Sequence, residues 1–415
     1  MKAVLRNRSL VIMGISEAVS NTGSWITMMA VLSVIVFRAE GGVVQSSLIY
    51  LVGLLPTLLF SPAAGWLCDR FDRKWLMIIS ELLSGLVVSG IIFVERVEWI
   101  YFLLGLQAVT TSLITPARQS SVPQVVERSQ LTQANALLQQ ISSLTKIAAP
   151  MLAGGVLSIL SPHQAVILDV VSFIFSAVIL SFLPSLHPQH AQQPVEKQPV
   201  FSSAFAPLLD VLKKSSALRL LFTINFLAII AIIAVDILAA IFTRDALQGG
   251  EKLLGFQIGL IGLGTLLGAA SLMAQKKPSN PWMDILLGMT LLAAVPAAMA
   301  IGYWLPSLGL ARGVAYTACL LGGFGMGRNS VQTGTLMQTI SPAHVLGRVS
   351  SVFQSVIVGG QLIGILLTPL LVPLVFSVPT YFGLVSGIIL AVALLGILPR
   401  GRALNPAAQP FPAQE

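Results

Sequence analysis

Ionisable side chains inside long apolar runs are the residues of this chain best placed to do chemistry. Glu17, Lys146, Asp169 and Asp236 each stand among mainly apolar neighbours. A charge at membrane depth costs at least ~2.5–3.5 kcal/mol, so such residues generally serve ion pairs, substrate contacts or proton transfer. Glu17 and Asn21 belong to a polar series with helical spacing on one apolar run. We interpret Glu17 as a candidate proton carrier, with a hydrogen-bonded structural role as the alternative.

The other buried ions suggest a pair and several single sites. Lys146 is about 22 Å along its predicted helix at ~1.5 Å per residue, and Asp169 is about 21 Å from the same side of a ~30 Å core. This matched depth predicts a Lys146–Asp169 ion pair, which can be purely structural. Asp236 is a candidate gating or binding group, with a solvated role as the alternative. Glu81 and Asp284 are close to the starts of their apolar runs, and we expect them to snorkel toward the membrane surface.

No pattern in the sequence indicates catalysis or a cofactor. Cys68 and Cys319 are far apart and lack the local partners of a metal or redox site. The sequence contains no H-E-x-x-H, G-x-S-x-G or P-loop motif, so we expect no metal, no ATP and no enzymatic activity.

The elements that must position these residues are membrane-spanning helices. The chain of 415 residues is 55% hydrophobic, with a mean hydropathy of +0.87 and only 10% charged residues, whereas soluble domains carry about 25%. Runs of about 20 apolar residues suffice to cross a bilayer, and we find twelve. They run approximately 10–37, 45–67, 75–94, 98–115, 131–160, 163–183, 218–242, 253–274, 282–304, 308–327, 348–373 and 379–398.

Basic residues in the loops indicate the orientation of these spans. With both termini in the cytoplasm, 18 Lys and Arg residues fall on the inner side and five on the outer side. The bias predicts a multi-pass protein of the cytoplasmic (inner) membrane and accounts for the net charge of +8. We therefore expect the partners to be the lipid bilayer, a small-molecule substrate and protons. We expect no nucleic acid to bind, and we expect the functional unit to be a monomer.

The chain also reads as two related halves. A segment rich in Pro and Gln separates six spans from six, which predicts an N-terminal half at 1–185, a cytoplasmic linker at 186–217, a C-terminal half at 218–400 and a tail at 401–415. After the fourth span comes "ARQSS", and after the tenth comes "GRNSV". This correspondence favours parallel structural repeats, an arrangement of transporters that rock one half against the other.

One short loop concentrates charge between the second and third spans. Residues 65–77 read "GWLCDRFDRKWLM". Asp69 stands where its carboxylate can accept the free N–H groups at the start of a neighbouring helix, and Gly65 leaves room for that helix. We interpret the loop as a conformational latch. Its members are Gly65, Asp69, Arg70, Arg73 and Lys74.

This loop resembles the G-x-L-x-D-R-x-G-R-K signature of the major facilitator superfamily, although Asp72 replaces the usual Gly. "SNTGSW", "TPARQSSVPQVV", "AVILDVVSFIFSA" and "LGRVSS" are similar to its macrolide-efflux and enterobactin-exporter-like branch. The resemblance implies twelve transmembrane helices in two six-helix halves. It also implies that Asp69 engages the start of the eleventh span, at Gly347 and Arg348.

Two further motifs bear on the coupling that the resemblance implies. "KIAAPMLAGG" in the fifth span is similar to the antiporter motif of the superfamily and contains Pro150, Gly154 and Gly155, although an ordinary small-residue packing face is the alternative. Gln107 stands where the family has a functional arginine in the fourth helix.

We therefore expect a secondary transporter that exports a drug-like, macrolide-like or siderophore compound, with proton antiport. A dedicated siderophore or metabolite exporter is the main alternative, and a channel or membrane enzyme a remote one.

Overall fold

The computed structural model describes residues 6–94, 96–127, 130–187, 216–273, 280–340, 346–372 and 374–397. Within these ranges every regular element is a helix. Ten of the helical stretches are long and apolar enough to cross a membrane, and a shorter apolar helix follows at Val378–Leu394. The predicted all-α, membrane-spanning class is confirmed. Most of the predicted linker and all of the predicted tail lie outside the described residues.

The chain divides into two compact units, which are Met1–Pro194 with Gly250–Gly259, and Val195–Gly249 with Leu260–Glu415. Of the fourteen α-helices within the described ranges, eight lie wholly or partly in the first unit. Seven of them precede the linker: α1 Arg8–Ser33, α2 Val43–Arg70, α3 Arg73–Ile91, α4 Val97–Thr111, α5 Ile114–Val125, α6 Leu131–Ile159 and α7 Pro162–Ser181. Helix α1 packs against α6 and α7, whereas α3 packs against α4, α5 and α7.

The remaining helices follow the linker. They are α8 Ser216–Asp245, α9 Glu251–Met273, α10 Pro281–Leu292, α11 Ala294–Gly302, α12 Leu308–Ile340, α13 Leu346–Leu371 and α14 Val378–Ile397. Helix α9 starts within the first unit and continues in the second. In the second unit α10 and α11 pack on α12, and α8 packs on α13. With α4 and α5 counted as one span and α10 and α11 as another, the helices make twelve spans.

Capping residues define where several helices begin. The side chain of Asp72 accepts the backbone N–H of Lys74 at the start of α3, and Asn280 accepts that of Trp282 at the start of α10. Ser161 caps α7 ahead of a proline in its first turn. Asx and Ser side chains satisfy N–H groups that have no partner within the helix, so they fix these helix ends.

The fourth and tenth spans are longer than their apolar runs indicate. The fourth continues as α5 to Val125, and α12 runs unbroken to Ile340. The prediction ended these spans at about residues 115 and 327, just before Arg118 and Arg328. Both arginines are buried within the helices and not in inner loops. The prediction of loop arginines was therefore wrong, because each charge has a buried partner that permits the helix to continue.

Candidate functional site

A buried ion pair joins the first and fourth spans. Nη1 of Arg118 on α5 contacts Oε2 of Glu17 on α1, and the two side chains are only 12% and 6% exposed. The carboxylate thus compensates the one cation that α5 carries. Sequence reasoning found the acid but placed the arginine in a loop, and the pairing was missed.

A second buried ion pair lies in the other unit. Nη2 of Arg328 on α12 contacts Oδ1 of Asp284 on α10, with side-chain exposures of 8% and 9%. The other carboxylate oxygen accepts a hydrogen bond from Nε2 of Gln332 at 2.6 Å. Nη1 of Arg328 donates to the Ser271 hydroxyl at 2.9 Å. The expectation that Asp284 snorkels was wrong, because the aspartate is an integral partner in a buried network.

The two arginines occupy the same place in the internal repeat. Arg118 is the second residue of "ARQSS" and Arg328 the second residue of "GRNSV". Their acids are not equivalent, because Glu17 belongs to the first span of its half and Asp284 to the third span of the other. The cation is therefore common to both halves, while each half supplies its carboxylate from a different helix. The repeated arginine was the signal that could have identified both sites from the sequence.

The predicted polar series on α1 divides between two faces. Glu17 points to Arg118, and Asn21, one turn later, is exposed. Ser16 and Ser20 instead face α7 and α3, where they contact Ser176 and Glu81. Glu81 is fully buried. The expectation that Glu81 snorkels was wrong, since two serine-bearing helices enclose it.

The structure also shows where most of the other residues predicted to bind protons or substrate lie. Gln107 is buried, and its backbone carbonyl accepts a hydrogen bond from the hydroxyl of Thr111 at 2.9 Å. Asp169 is fully buried with Ser172 beside it. Asp236 is partly buried on α8. The side chain of Lys146 lies outside the described residues, so the Lys146–Asp169 pair stays a prediction.

The small residues of the fifth span differ in their surroundings. A Cβ added at Gly154 would lie 2.6 Å from the backbone nitrogen of Gly259 and would also meet the carbonyl of Gly255. No heavy atom lies within 4 Å of such a Cβ at Gly155. Gly154 therefore permits backbone contact between α6 and the start of α9. Pro150 stands within the continuous helix α6, and its side chain lies outside the described residues.

In the charged loop, the basic residues have distinct roles. Arg73 is buried and donates to the carbonyls of Cys68 and Ser120, while Arg70 is exposed and stacks over Trp66 at 4.3 Å. Asp69 is exposed, and a Cβ at Gly65 would meet no described heavy atom within 4 Å. The surroundings of Gly347 and the side chain of Arg348 lie outside the described part of the structure. The latch between Asp69 and the eleventh span stays a prediction.

Asp72, which replaces the usual glycine of the signature, holds the segment that follows α7. Its Oδ1 accepts the N–H groups of Lys74 at 2.9 Å and Leu186 at 3.0 Å. Its Oδ2 accepts the hydroxyl of Ser185, and Lys74 Nζ donates to the carbonyl of Leu183 at 2.6 Å. The departure from the signature thus attaches residues 183–187 to the N-terminal end of α3. No local sequence pattern indicates this contact, because its partner is more than a hundred residues away.

The hydrogen bonds of Asp72 also determine its titration. Partial burial would raise the pKa of this carboxyl, but hydrogen bonds from Ser185, Leu186 and Lys74, together with the nearby His187, hold its pKa below the ordinary value. A carboxyl whose pKa is lowered by folding stabilises the protein fully above its unfolded pKa of about 4. That stabilisation is lost as the pH falls through the folded pKa.

Replacing Asp72 should therefore lower stability in a pH-dependent way. We expect Asp72→Ala to reduce the free energy of unfolding by about 0.5–2 kcal/mol, since it removes a helix cap. Asp72→Asn retains a capping oxygen without the charge, so its deficit should be smaller, should begin to shrink near the unfolded pKa of about 4 and should disappear only below the lowered folded pKa of Asp72. Thermal unfolding of purified protein between acidic and neutral pH measures both effects. An Asn variant whose deficit is the same at every pH would contradict the account.

The Glu17–Arg118 pair should behave as one energetic unit. Either Glu17→Gln or Arg118→Gln leaves a buried charge without its partner, which typically costs about 3–5 kcal/mol. The double variant should lose less than the sum of the single losses. The cycle is measured by thermal unfolding in detergent. Asp245→Asn is a control for an exposed pair, since Asp245 bonds Arg244 near the surface, and should change stability by less than about 1 kcal/mol. Additive losses at Glu17 and Arg118 would show that the two side chains are not coupled.

Comparison with known proteins shows which proteins this chain resembles. The chain is 27% identical to an uncharacterized MFS-type transporter, YfiS of Bacillus subtilis (strain 168), over 88% of this chain and 87% of that protein. It is 25% identical to macrolide efflux protein A of Streptococcus pyogenes, over 91% and 93% of the two chains. The crystal structure of the peptide transporter POT in complex with sulfate matches with a TM-score of 0.68 at 14% identity, over 96% of each chain.

The family model of the Major Facilitator Superfamily matches residues 13–364, which is most of the chain. This match covers both buried ion pairs, the charged loop and both copies of the repeated arginine motif. The predicted family is confirmed, and with it a multi-pass membrane transporter of small molecules and not an enzyme. The chain belongs to the Major Facilitator Superfamily.

Proposed function

We propose that this transporter exports a small amphipathic compound by alternating access, in exchange for protons that move inward. The observation that carries the proposal is the buried Glu17–Arg118 pair, because its carboxylate can exist either as a charged partner of the arginine or as a neutral acid. The similarity to macrolide efflux protein A favours macrolide-like compounds as the substrate class. The loop charges favour a location in the inner membrane with both termini in the cytoplasm, and we propose a functional monomer.

Protonation of Glu17 changes the charge state of the pair. When Glu17 is ionised, the charges of the pair compensate each other within a mainly apolar surrounding. When Glu17 takes a proton, the Arg118 guanidinium loses its counter-charge, and a buried cation without a partner is strongly unfavourable. Arg118 must then be solvated by water. Protonation therefore favours a hydrated conformation, and deprotonation favours the paired one.

Because the favoured conformation depends on the protonation of Glu17, the protein can exchange protons for substrate in a cycle. Facing outward, the protein releases its substrate and Glu17 takes a proton from the more acidic side. Facing inward, Glu17 loses the proton to the cytoplasm, the ion pair reforms, and substrate binds. The free energy of proton movement thus shifts the equilibrium between the two conformations, as alternating access requires.

Other polar residues of the spanning helices suit a role in substrate binding. Asn21 is exposed one turn from Glu17 and offers both a hydrogen-bond donor and an acceptor. Asp236 provides a second acid on α8, to which a cationic substrate or a proton can bind. Gln107 contributes a neutral amide in the fourth span. Gly154, Gly155 and Pro150 are proposed to serve the close packing and bending that conformational exchange demands.

Glu17→Gln should separate proton coupling from substrate movement. The amide cannot release a proton, so we expect uphill export under an imposed pH gradient to be abolished while downhill exchange of substrate survives. The measurement uses purified protein in liposomes, with a panel of macrolides, dyes and catecholate siderophores as substrates. Preference for the siderophores alone would favour a dedicated siderophore exporter over a macrolide-type exporter.

The double variant Glu17→Gln/Arg118→Gln is the matched control for stability. It removes both charges, so downhill exchange should be retained in a better folded protein while uphill export stays lost. If Glu17→Gln alone still concentrates substrate against its gradient, Glu17 is not the proton carrier, and Asp236 becomes the next acid to replace.

The inner latch calls for a separate test. Asp69→Asn removes the charge proposed to face the start of α13, where a helix N-terminus favours an anion by about 0.3–2 kcal/mol. We expect transport to fall while membrane insertion and thermal stability stay normal. Transport by the Asn variant at the wild-type rate would rule out the latch role of Asp69.

A further inference from the structure

A second set of buried acids lies between α1, α3 and α7, apart from the Glu17–Arg118 pair. Glu81 on α3 and Asp169 on α7 are both fully buried. The Ser20 hydroxyl donates to Oε2 of Glu81 at 2.9 Å, and the Ser172 hydroxyl donates to Oδ1 of Asp169 at 3.2 Å. Two carboxyl groups inside one helix bundle are unusual, because charge is strongly disfavoured at this depth.

Each carboxyl group has one oxygen that remains unsatisfied. Oε1 of Glu81 and Oδ2 of Asp169 have no partner at hydrogen-bond geometry among the described residues, and only the hydroxyls of Ser176 and Thr27 approach these two carboxyls further. The two carboxyls are close enough to repel each other when charged. A buried carboxylate with an unpartnered oxygen and a like-charged neighbour is poorly stabilised as an anion. A bound proton removes both problems, because it neutralises the group and leaves an O–H that can donate.

No cation among the described residues on the helices around Glu81 neutralises the charge of its carboxylate. Arg118 pairs with Glu17, Arg73 donates to the Ser120 carbonyl, and Lys74 donates to the Leu183 carbonyl. The titratable side chains at the starts of α1, α4 and α7 are exposed, and they are Arg8, Glu98 and His163. Lys146 stands on α6, which packs against α1 and scarcely touches α7. None of the described cations contacts Glu81.

Hydroxyl groups accompany both acids along the contact between α1, α3 and α7, which we call the polar seam. Ser16 and Ser176 share a hydrogen bond of 2.6 Å beside Glu81, and Thr27 approaches Asp169. Glu81 is about 12 Å along α3 from its start, and Asp169 about 10 Å along α7 from its own. In a core of ~30 Å these positions are roughly 8 Å apart in depth. By the same count Ser20, which donates to Glu81, and Ser172, which donates to Asp169, lie at depths between the two acids, and a hydroxyl can both donate and accept.

We propose that Glu81, with Asp169 further along the same seam, is a second proton-binding site built within the first unit and distinct from the Glu17–Arg118 pair. In the proton-bound state the seam between α1, α3 and α7 stays dry and closed. Loss of the proton creates a buried anion that admits water between these helices. The use of this proton in export rests on the proposed function, whereas its presence can be measured in the resting protein.

Infrared difference spectroscopy of the full-length protein in nanodiscs tests the proton directly. A protonated carboxyl has a C=O stretch separate from the bands of a carboxylate. We expect wild type at neutral pH to show this carboxyl band, Glu81→Gln to lose one component, and Asp169→Asn to lose another. Glu98→Gln is the matched control, since Glu98 is exposed at the start of α4, so its replacement should leave the carboxyl band unchanged.

Several outcomes would overturn the proposal. If Glu81→Gln leaves the carboxyl band intact in a folded protein, Glu81 is ionised and no proton is bound there. A carboxyl band that appears only in Lys146→Met would identify Asp169 as the ionised partner of that lysine and remove it from the site. Should Glu81→Gln fail to fold, Glu81→Asp keeps a titratable group, and a shift of the carboxyl component then supports the site while an unchanged band contradicts it.

The same variants distinguish this site from the proposed function. If the infrared band assigns a proton to Glu81 but liposomes show no proton-driven export by wild type, the antiport mechanism fails while the site stands. If export is proton-driven and depends on Glu17 but the band is absent, the site fails while the function stands.

Discussion

The high cost of an unpaired charge inside a membrane bundle governs how this protein is arranged. Arg118 and Arg328 lie inside spanning helices with their side chains largely shielded from solvent, and each is paired with a carboxylate from another helix. Without Glu17, the Arg118 guanidinium on α5 would be a nearly buried cation with no counter-charge. The pairs thus determine both the length of the fourth and tenth spans and the mutual register of the helices that supply the acids.

Duplication and divergence are both visible in these pairs. The arginine recurs in the two halves within similar short motifs, but its acid comes from α1 in one unit and from α10 in the other. The second pair is also more extensively hydrogen-bonded, since Gln332 and Ser271 complete it. A pair held by additional hydrogen bonds is harder to break than an isolated one. This difference supports the proposal that Glu17 carries the coupled proton and that Asp284 has a structural role.

Much of the fold could be predicted from the sequence, because long apolar runs and loop charges are local signals. The span starts were placed within a few residues, as for α3 at Arg73 and α10 at Pro281. The span ends at Arg118 and Arg328 could not be placed from hydropathy, because only a partner on a distant helix makes their burial tolerable. Glu81 illustrates the same limit, since its burial depends on serines of α1 and α7. Asp72 acts through Ser185 and Leu186, which no local pattern connects to it.

The central claim is that Glu17 exchanges a proton as the substrate binds. Purified transporter in a weakly buffered detergent solution, mixed with a macrolide in the presence of a pH indicator, reports that exchange without any membrane gradient. The account predicts that wild type releases protons when substrate binds and that Glu17→Gln binds the substrate without releasing them. Equal proton release by wild type and Glu17→Gln would contradict the account.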